Sequence, residues 1–371
     1  MTDARTLGDR QLSKCPVSHD DGTWNVWGNE EARVVAENAD VFSSRVSQHL
    51  NVPNGMDGDE HRRFRAVIDR YLSDEVILPL YDMFEKHAQE AYGSLPENFD
   101  ANDFGRLVAV GCQLDWLGWD SSYENELTGW IASNQHATRS GDRSRTKAVA
   151  DHFTEIIHRI IADHEGHNGD DPTCKLMRET VEDGDGIRRL TMPEIVSILR
   201  NWTAGDLGSI TYSIGIIAHF LATNPSVSHQ LAAYDRADNT RALDLALDEI
   251  LRIDDPFLAN RRITTRDVTV AGVEIPEGKR VLLNWTTANR DPRAFGNPDA
   301  YNPEGNASRN LVYGAGPHVC PGRTLSTLEL RAGLVALLRG GELALTSTPV
   351  REEYPVGGYH SVPVRKTGVR S

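Results

Sequence analysis

Between about residue 60 and residue 255 apolar residues return at steps of three and four, the period of a helix with one buried face. The longest such run is Thr191–Asn224, TMPEIVSILRNWTAGDLGSITYSIGIIAHFLATN. Thr191 and Glu194 form a capping box, Pro193 falls in the tolerated first turn, and Pro225 stops the run. At 1.5 Å per residue this helix is roughly 50 Å long, enough to cross a whole domain. Its middle carries Gly205, Gly208 and Gly215, each costing about 1 kcal/mol relative to alanine, a defect that usually has a cause. Shorter helices are predicted over Glu60–Leu72, Asp74–Tyr92, Phe104–Leu117, Lys147–His164, Thr240–Ile253 and Pro321–Leu338. The stretch RRITTRDVTVAGVEIPEGKRVLLNW (261–285) instead alternates β-branched and polar residues around two turn signals, Ala271-Gly272 and Pro276-Glu-Gly278, and reads as short strands. The pattern predicts a mainly α protein with a small β region.

Composition narrows the classes. The 371 residues are 39% hydrophobic and 25% charged, and no apolar run approaches the ~20 residues of a membrane span, so no membrane partner is expected. The first residues, MTDARTLGDRQLSK, lack the apolar stretch of a secretory signal, and Cys15, Cys112, Cys174 and Cys320 follow no disulfide or zinc spacing; a reducing, cytoplasmic location is expected. A net charge of −15 argues against a nucleic-acid partner. With no internal repeat or low-complexity linker, residues 1–371 read as a single domain.

Cysteine is scarce enough that LVYGAGPHVCPG (311–322) stands out. Pro321 suits the first position of the following helix, which places Cys320 at a helix N-terminus where a thiolate is favoured. Such a thiolate is a nucleophile or a metal ligand. His318, two residues away, is too close along the chain to be a persuasive base. The spacing Gly314-x-Gly316-x-His318-x-Cys320-x-Gly322 resembles the haem-binding loop of the cytochrome P450 family, whose cysteine thiolate is the axial iron ligand. The resemblance spans nearly the whole chain, from Phe42-Ser43-Ser44 to the C-terminal turn. It implies the cytochrome P450 fold, with the long helix over haem b and Cys320 on the iron. Tyr313 stands where the family usually has phenylalanine, and its hydroxyl needs a partner if buried.

Other residues take expected roles from the same resemblance. His61 and Arg65, at i and i+4 in EHRRFRAVIDRYL, fall where the family contacts the haem propionates; Arg262 and His318 are further contacts. Glu249 and Arg252 match the Glu-x-x-Arg pair, but Gly305 stands where the arginine that completes that triad belongs. In AGDLGS, Ser209 takes the place of the oxygen-site threonine, Gly208 replaces the usual acid, and Asp206 supplies a carboxylate one turn earlier on the same face. Gly205 lets dioxygen approach the helix backbone. The substrate pocket is expected to draw on the loop Arg45–Met56, Leu199 and Trp202 of the long helix, Phe257, Leu258 and Asn260 before the strands, and the turn Gly358–Ser361 with Tyr359.

DHEGHNGDD (163–171) offers His164, Glu165 and His167 without a helical histidine pair, and a solvated loop is the expectation. The basic run Arg139, Arg143, Arg145 and Lys147 falls where the family places the loop over its substrate entrance and would there attract an acidic substrate; a solvated loop is the expectation.

The implied activity is a monooxygenase that inserts one atom of O2 into a small to medium apolar molecule by hydroxylation or dealkylation. No flavin or iron–sulfur segment is present, so electrons would come from a ferredoxin or flavodoxin with its reductase, received at Arg62, Arg63 and Arg323. A peroxide-driven peroxygenase and a non-catalytic haem-binding sensor are the alternatives.

Overall fold

The long helix runs Met192–Thr223, and the Thr191 N–H donates to Glu194 Oε2 at 2.7 Å, as the capping box requires. This computed structural model describes residues 3–20, 22–184 and 186–367. The helix Ala101–Leu117 lies along the long helix so closely that a Cβ on Gly105 would come within 2.5 Å of Thr211 O. Gly215 has the same cause, since a Cβ there would meet Asn102 Oδ1 at 2.1 Å. Gly205 and Gly208 have open space beside them, and nothing in the packing explains Gly208. Helices Tyr81–Ser94 and Arg323–Arg339 complete the layers around one large apolar cluster that includes Phe84, Phe104, Ile198, Ile214 and Leu334.

Most predicted helices stand within a few residues. Thr240–Ile253 has the expected bounds, Glu60–Leu72 is Gly58–Tyr71, and Lys147–His164 begins at Arg143. The run from Asp74 is broken by a 3-10 turn at Leu78–Leu80, where Pro79 removes a backbone donor. The last long helix starts at Arg323 rather than Pro321, because Pro321 and Gly322 form a turn that carries the chain out of the cysteine loop. Glu124–Ser140 is a helix that the apolar period did not single out.

The β region is a five-stranded sheet in the order Val17–Asp20, Thr23–Val26, Arg280–Asn284, Ala259–Thr264, Phe42–Ser43, parallel only between Thr23–Val26 and Arg280–Asn284. It buries a second apolar cluster around Phe42, Val281 and Trp285. Val268–Val270 and Val273–Ile275 form a separate hairpin turning at Ala271 and Gly272, both with positive φ.

Glu249 and Arg252 are fully buried and joined by two hydrogen bonds, Nε to Oε2 at 2.7 Å and Nη2 to Oε1 at 3.0 Å. Arg252 also donates to the carbonyls of Asn289, Pro298 and Ala300 and covers the Phe295 ring at 4.6 Å. No arginine among the described residues completes the set. The Asn302 N–H and Asn306 Nδ2 donate to Glu249 Oε1 at 2.9 and 2.8 Å, so neutral donors flanking Gly305 fill that place.

Candidate active site

The Cys320 loop is shaped by backbone geometry. Gly314 and Gly316 have φ of 75° and 70°, and a Cβ on Gly316 would lie 2.4 Å from Ala36 O, so side chains are excluded by conformation and by space. A 3-10 turn, Gly316–His318, follows, and the Cys320 N–H donates to Tyr313 O at 2.9 Å. Burial pushes the Cys320 thiol up, against one Gly322 N–H aimed at the sulfur. The helix starts only at Arg323, so Cys320 lies outside its first turn and burial opposes the expected thiolate; a coordinated metal ion would favour it. Tyr313 is half-buried and its hydroxyl has a partner, Thr327 Oγ1 at 3.2 Å.

A cavity of about 540 Å³ joins this loop to the long helix. Tyr313, Gly314, His318, Cys320 and Gly322 line one side; Trp202, Gly205, Asp206 and Ser209 line the other. Phe257 and Asn260 also face it, as do Val46, Asn51, Pro53 and Asn54 of the loop Arg45–Met56. Leu258 and Tyr359 do not. Leu258 turns the other way, against Gly357, and the Tyr359 hydroxyl meets His219 Nδ1 at 3.1 Å under the Arg351 guanidinium. Leu199 is buried in the helical core.

On the edge of the cavity the expected cations diverge. His61 is 4% exposed, its ring lies tilted by 41° against the His318 ring with centroids 4.1 Å apart, and its Nε2 is without a partner. Arg262 is buried, its Nη1 donates only to Arg261 O at 2.9 Å, and no carboxylate among the described residues is within ion-pair distance. Burial first, then His61 and Arg262, push His318 down to about 3. Arg65, by contrast, bonds Asp69 Oδ1 at 2.8 Å and Val319 O at 2.9 Å, so it clamps the cysteine loop instead of facing the cavity. Unmatched donors beside a cavity that holds a cysteine sulfur fit an iron porphyrin with its carboxylates at this edge.

Asp206 and Ser209 share the helix face but no hydrogen bond joins their side chains. Ser209 Oγ donates to the carbonyls of Gly205 at 2.9 Å and Asp206 at 3.0 Å, the local alternative open to a helical hydroxyl. The Asp206 carboxylate is reached by Gln113 Nε2 at 2.8 Å and Ser326 Oγ at 3.2 Å, from two neighbouring helices. Beside it lies the carboxyl of Glu329, fully buried. Burial pushes Asp206 up to about 6; burial and then the Asp206 charge push Glu329 well above its usual range. Two buried carboxyls with no cation cannot both ionise, so the pair retains a proton. Glu329 was legible in principle: it falls on the apolar stripe of Leu325, Leu328 and Ala332, where a charge is out of place.

The remaining clusters resolve locally. His164, Asp171 and Cys174 bring ligand atoms within 4.8 Å of one another, a closer knot than a solvated loop, but both His164 ring nitrogens face carbonyl oxygens, Ile160 O at 2.7 Å and Gly118 O at 3.1 Å. Arg139 is held by buried Glu352, Arg145 pairs with Asp142 and Lys147 with Asp151, so these three do not form an open basic patch.

Residues 131–355 match the family model described as cytochrome P450. The chain belongs to the cytochrome P450 family. It is similar to the cytochrome P450 monooxygenase PikC of Streptomyces venezuelae, 27% identical over 98% of this chain and 90% of that one. The 6-deoxyerythronolide B hydroxylase of Saccharopolyspora erythraea is 33% identical over 62% of this chain and 54% of its own length. Among solved structures, a mutant of P450 EryK in complex with erythromycin B superposes with a TM-score of 0.86 at 24% identity, covering 99% of this chain and 97% of that one. This P450 is accordingly a monooxygenase whose cofactor is haem on a cysteine thiolate, acting on a small molecule with O2 and electrons from a redox partner. No helix among the described residues is long and apolar enough to cross a membrane.

Proposed function

We propose that Cys320 is the axial ligand, that residues 1–371 work as one haem domain, and that the enzyme hydroxylates or dealkylates a small to medium, largely apolar organic molecule. The observation that carries this is the single cavity bounded by the Cys320 sulfur loop and the bare backbone of Gly205. His61, Arg262 and His318 hold the porphyrin carboxylates, and Tyr313 covers the sulfur side. Haem bound there supplies dioxygen binding and redox chemistry. The net reaction takes R–H, O2, two electrons and two protons to R–OH and water, so two protons must enter a buried site.

Asp206 and Glu329 store a proton below the helix, and Ser209, on the cavity wall, passes protons inward once its hydroxyl leaves the Gly205 carbonyl. The test is turnover with ferredoxin, reductase and NAD(P)H against turnover with peroxide alone. Asp206→Asn is expected to lower product per reducing equivalent severalfold; unchanged coupling would remove Asp206 from the proton path. Because Gly208 stands at the usual acid position and the Asp206 carboxyl bonds Gln113 and Ser326 and not Ser209, peroxide-driven turnover is the second reading. It prevails if peroxide supports the faster product formation.

The carboxyl pair also predicts a pH dependence of stability. Raised folded-state pKa values mean that the native protein keeps protons the unfolded chain has released, so stability is full below the unfolded value and falls as pH rises. For Asp206 the window runs from 3.8 to about 6, and Glu329 extends it upward. The Asp206→Asn, Glu329→Gln double variant should gain on the order of 3 kcal/mol over wild type across this window, read by denaturant unfolding at several pH values. A constant difference at all pH values would show that no proton is held there.

Ferredoxin or flavodoxin is the proposed donor, docking beside the cysteine loop on Arg62, Arg63 and Arg323. Arg62 and Arg323 are exposed but face Asp59 and Asp248, which makes this a weak, salt-sensitive patch. Alanine at all three should slow reduction at low salt; an unaltered rate places the docking surface elsewhere.

A further inference from the structure

Three aromatic rings lead away from the cavity. Trp116 of the Ala101–Leu117 helix and Trp202 of the long helix line its wall, with ring centroids 5.4 Å apart. Trp202 also touches Tyr71, the last residue of the Gly58–Tyr71 helix, at 5.3 Å. The Tyr71 hydroxyl donates to Glu179 Oε2 at 3.0 Å. Glu179 is half-buried and its other oxygen pairs with exposed Arg70 at 3.0 Å, so the series ends at the surface. The rings differ in the fate of a proton. Trp116 Nε1 and Trp202 Nε1 are buried without an acceptor, whereas Tyr71 has a carboxylate within proton-transfer reach. An indole oxidised here keeps its proton as a strongly oxidising cation radical; Tyr71 sheds its proton and becomes a neutral radical that traps the hole. Burial, then the Glu179 charge, push the Tyr71 phenol up, so its proton stays until the ring is oxidised. The hydroxyl of Tyr313, on the cavity wall, faces only the Thr327 hydroxyl, which is no base.

We propose that Trp116, Trp202 and Tyr71 form a relay that carries single oxidising equivalents from the haem site to the surface. The relay gives the enzyme a second activity, the reduction of hydroperoxides by outside one-electron donors such as phenols or ascorbate. The proposal rests on the haem reading above and goes beyond it, because no oxygen atom enters a substrate. One electron passes from Tyr71 through Trp202, with Trp116 sharing the hole, to haem oxidised by the hydroperoxide, and the Tyr71 proton moves to Glu179. An outside donor AH then returns an electron and a proton to Tyr71, and Glu179 releases its proton to water. Two rounds balance as ROOH + 2 AH → ROH + H2O + 2 A•, with two protons drawn from solvent at the peroxide and two returned by Glu179.

The test is electron paramagnetic resonance on haem-loaded enzyme, free of substrate, frozen at intervals after mixing with hydrogen peroxide. Ring-deuterated tyrosine in the protein separates a tyrosyl signal, which it narrows, from a tryptophan one. Wild type should show a tyrosyl radical. Tyr71→Phe keeps the ring and should replace that signal by a tryptophan radical. Glu179→Gln keeps a hydrogen-bond acceptor but removes the base, and should slow formation of the tyrosyl radical by about 100-fold, the lower end of what a positioned base contributes. Peroxide-dependent oxidation of ascorbate should fall in parallel in both variants. If Tyr71→Phe takes up no haem, Trp202→Phe asks the same question, since it puts a ring that is hard to oxidise at the middle of the relay, and the tyrosyl signal should fall severalfold. The proposal is overturned if wild type gives no tyrosyl signal, if Tyr71→Phe retains it undiminished, or if it is lost in Tyr313→Phe instead. A protein that takes up no haem has no Soret band, and that failure belongs to the haem reading.

Discussion

Cys320→Ser yields a folded protein whose monooxygenase turnover drops to background and whose reduced carbon-monoxide complex loses the thiolate signature. The fold survives because the loop is held without the sulfur. The Cys320 N–H bonds Tyr313 O, Arg65 clamps Val319 O, and only the Gly322 N–H looks to Sγ. What is lost is the anionic, strongly donating ligand, which an alcohol does not replace at neutral pH. Circular dichroism and the carbon-monoxide difference spectrum check the two halves separately. Normal turnover in this variant would mean that Cys320 does not ligate the iron.

Glu249→Gln has the largest expected effect on stability. It leaves Arg252 as a buried charge beside Phe295 with only carbonyl acceptors, and truncating one partner of such a pair costs about 3–5 kcal/mol. Denaturant unfolding should show that loss together with poor soluble yield. Asn306→Ala removes one neutral donor to Glu249 and should cost less, about 1.5–3 kcal/mol, as for a hydrogen bond to a charged group. If Asn306→Ala were silent, the Asn302 N–H and Arg252 would suffice, and the place of the family arginine would be empty rather than refilled. Equal losses in the two variants would instead mean that Asn306 carries as much of the cluster as the ion pair.

What can be read from this chain without coordinates is what adjacent residues decide. The capping box, the cysteine loop with its glycines, and the Glu249–Arg252 pair at i and i+3 are set within one turn or one loop, where backbone geometry leaves few alternatives. The helix Glu124–Ser140 escaped because its apolar period is weak: it buries Leu127, Trp130 and Ile131 but fills the rest with polar residues. Leu258 and Tyr359 are expected in the pocket from their position in the family pattern, and position does not say which way a side chain turns.

The sequence by itself determined the helical class, the haem-ligand loop and the long helix with its bare stretch at Gly205. The tertiary structure alone decided the rest: Glu329 beside Asp206, Ser326 bonding Asp206 from 120 positions away, Asn306 in place of an arginine, and Arg65 turned to the loop. The physical reason is range. Period, capping and positive φ act over a few residues, whereas a buried polar group is made costly or useful by segments far away in sequence, and only packing shows which partner it meets.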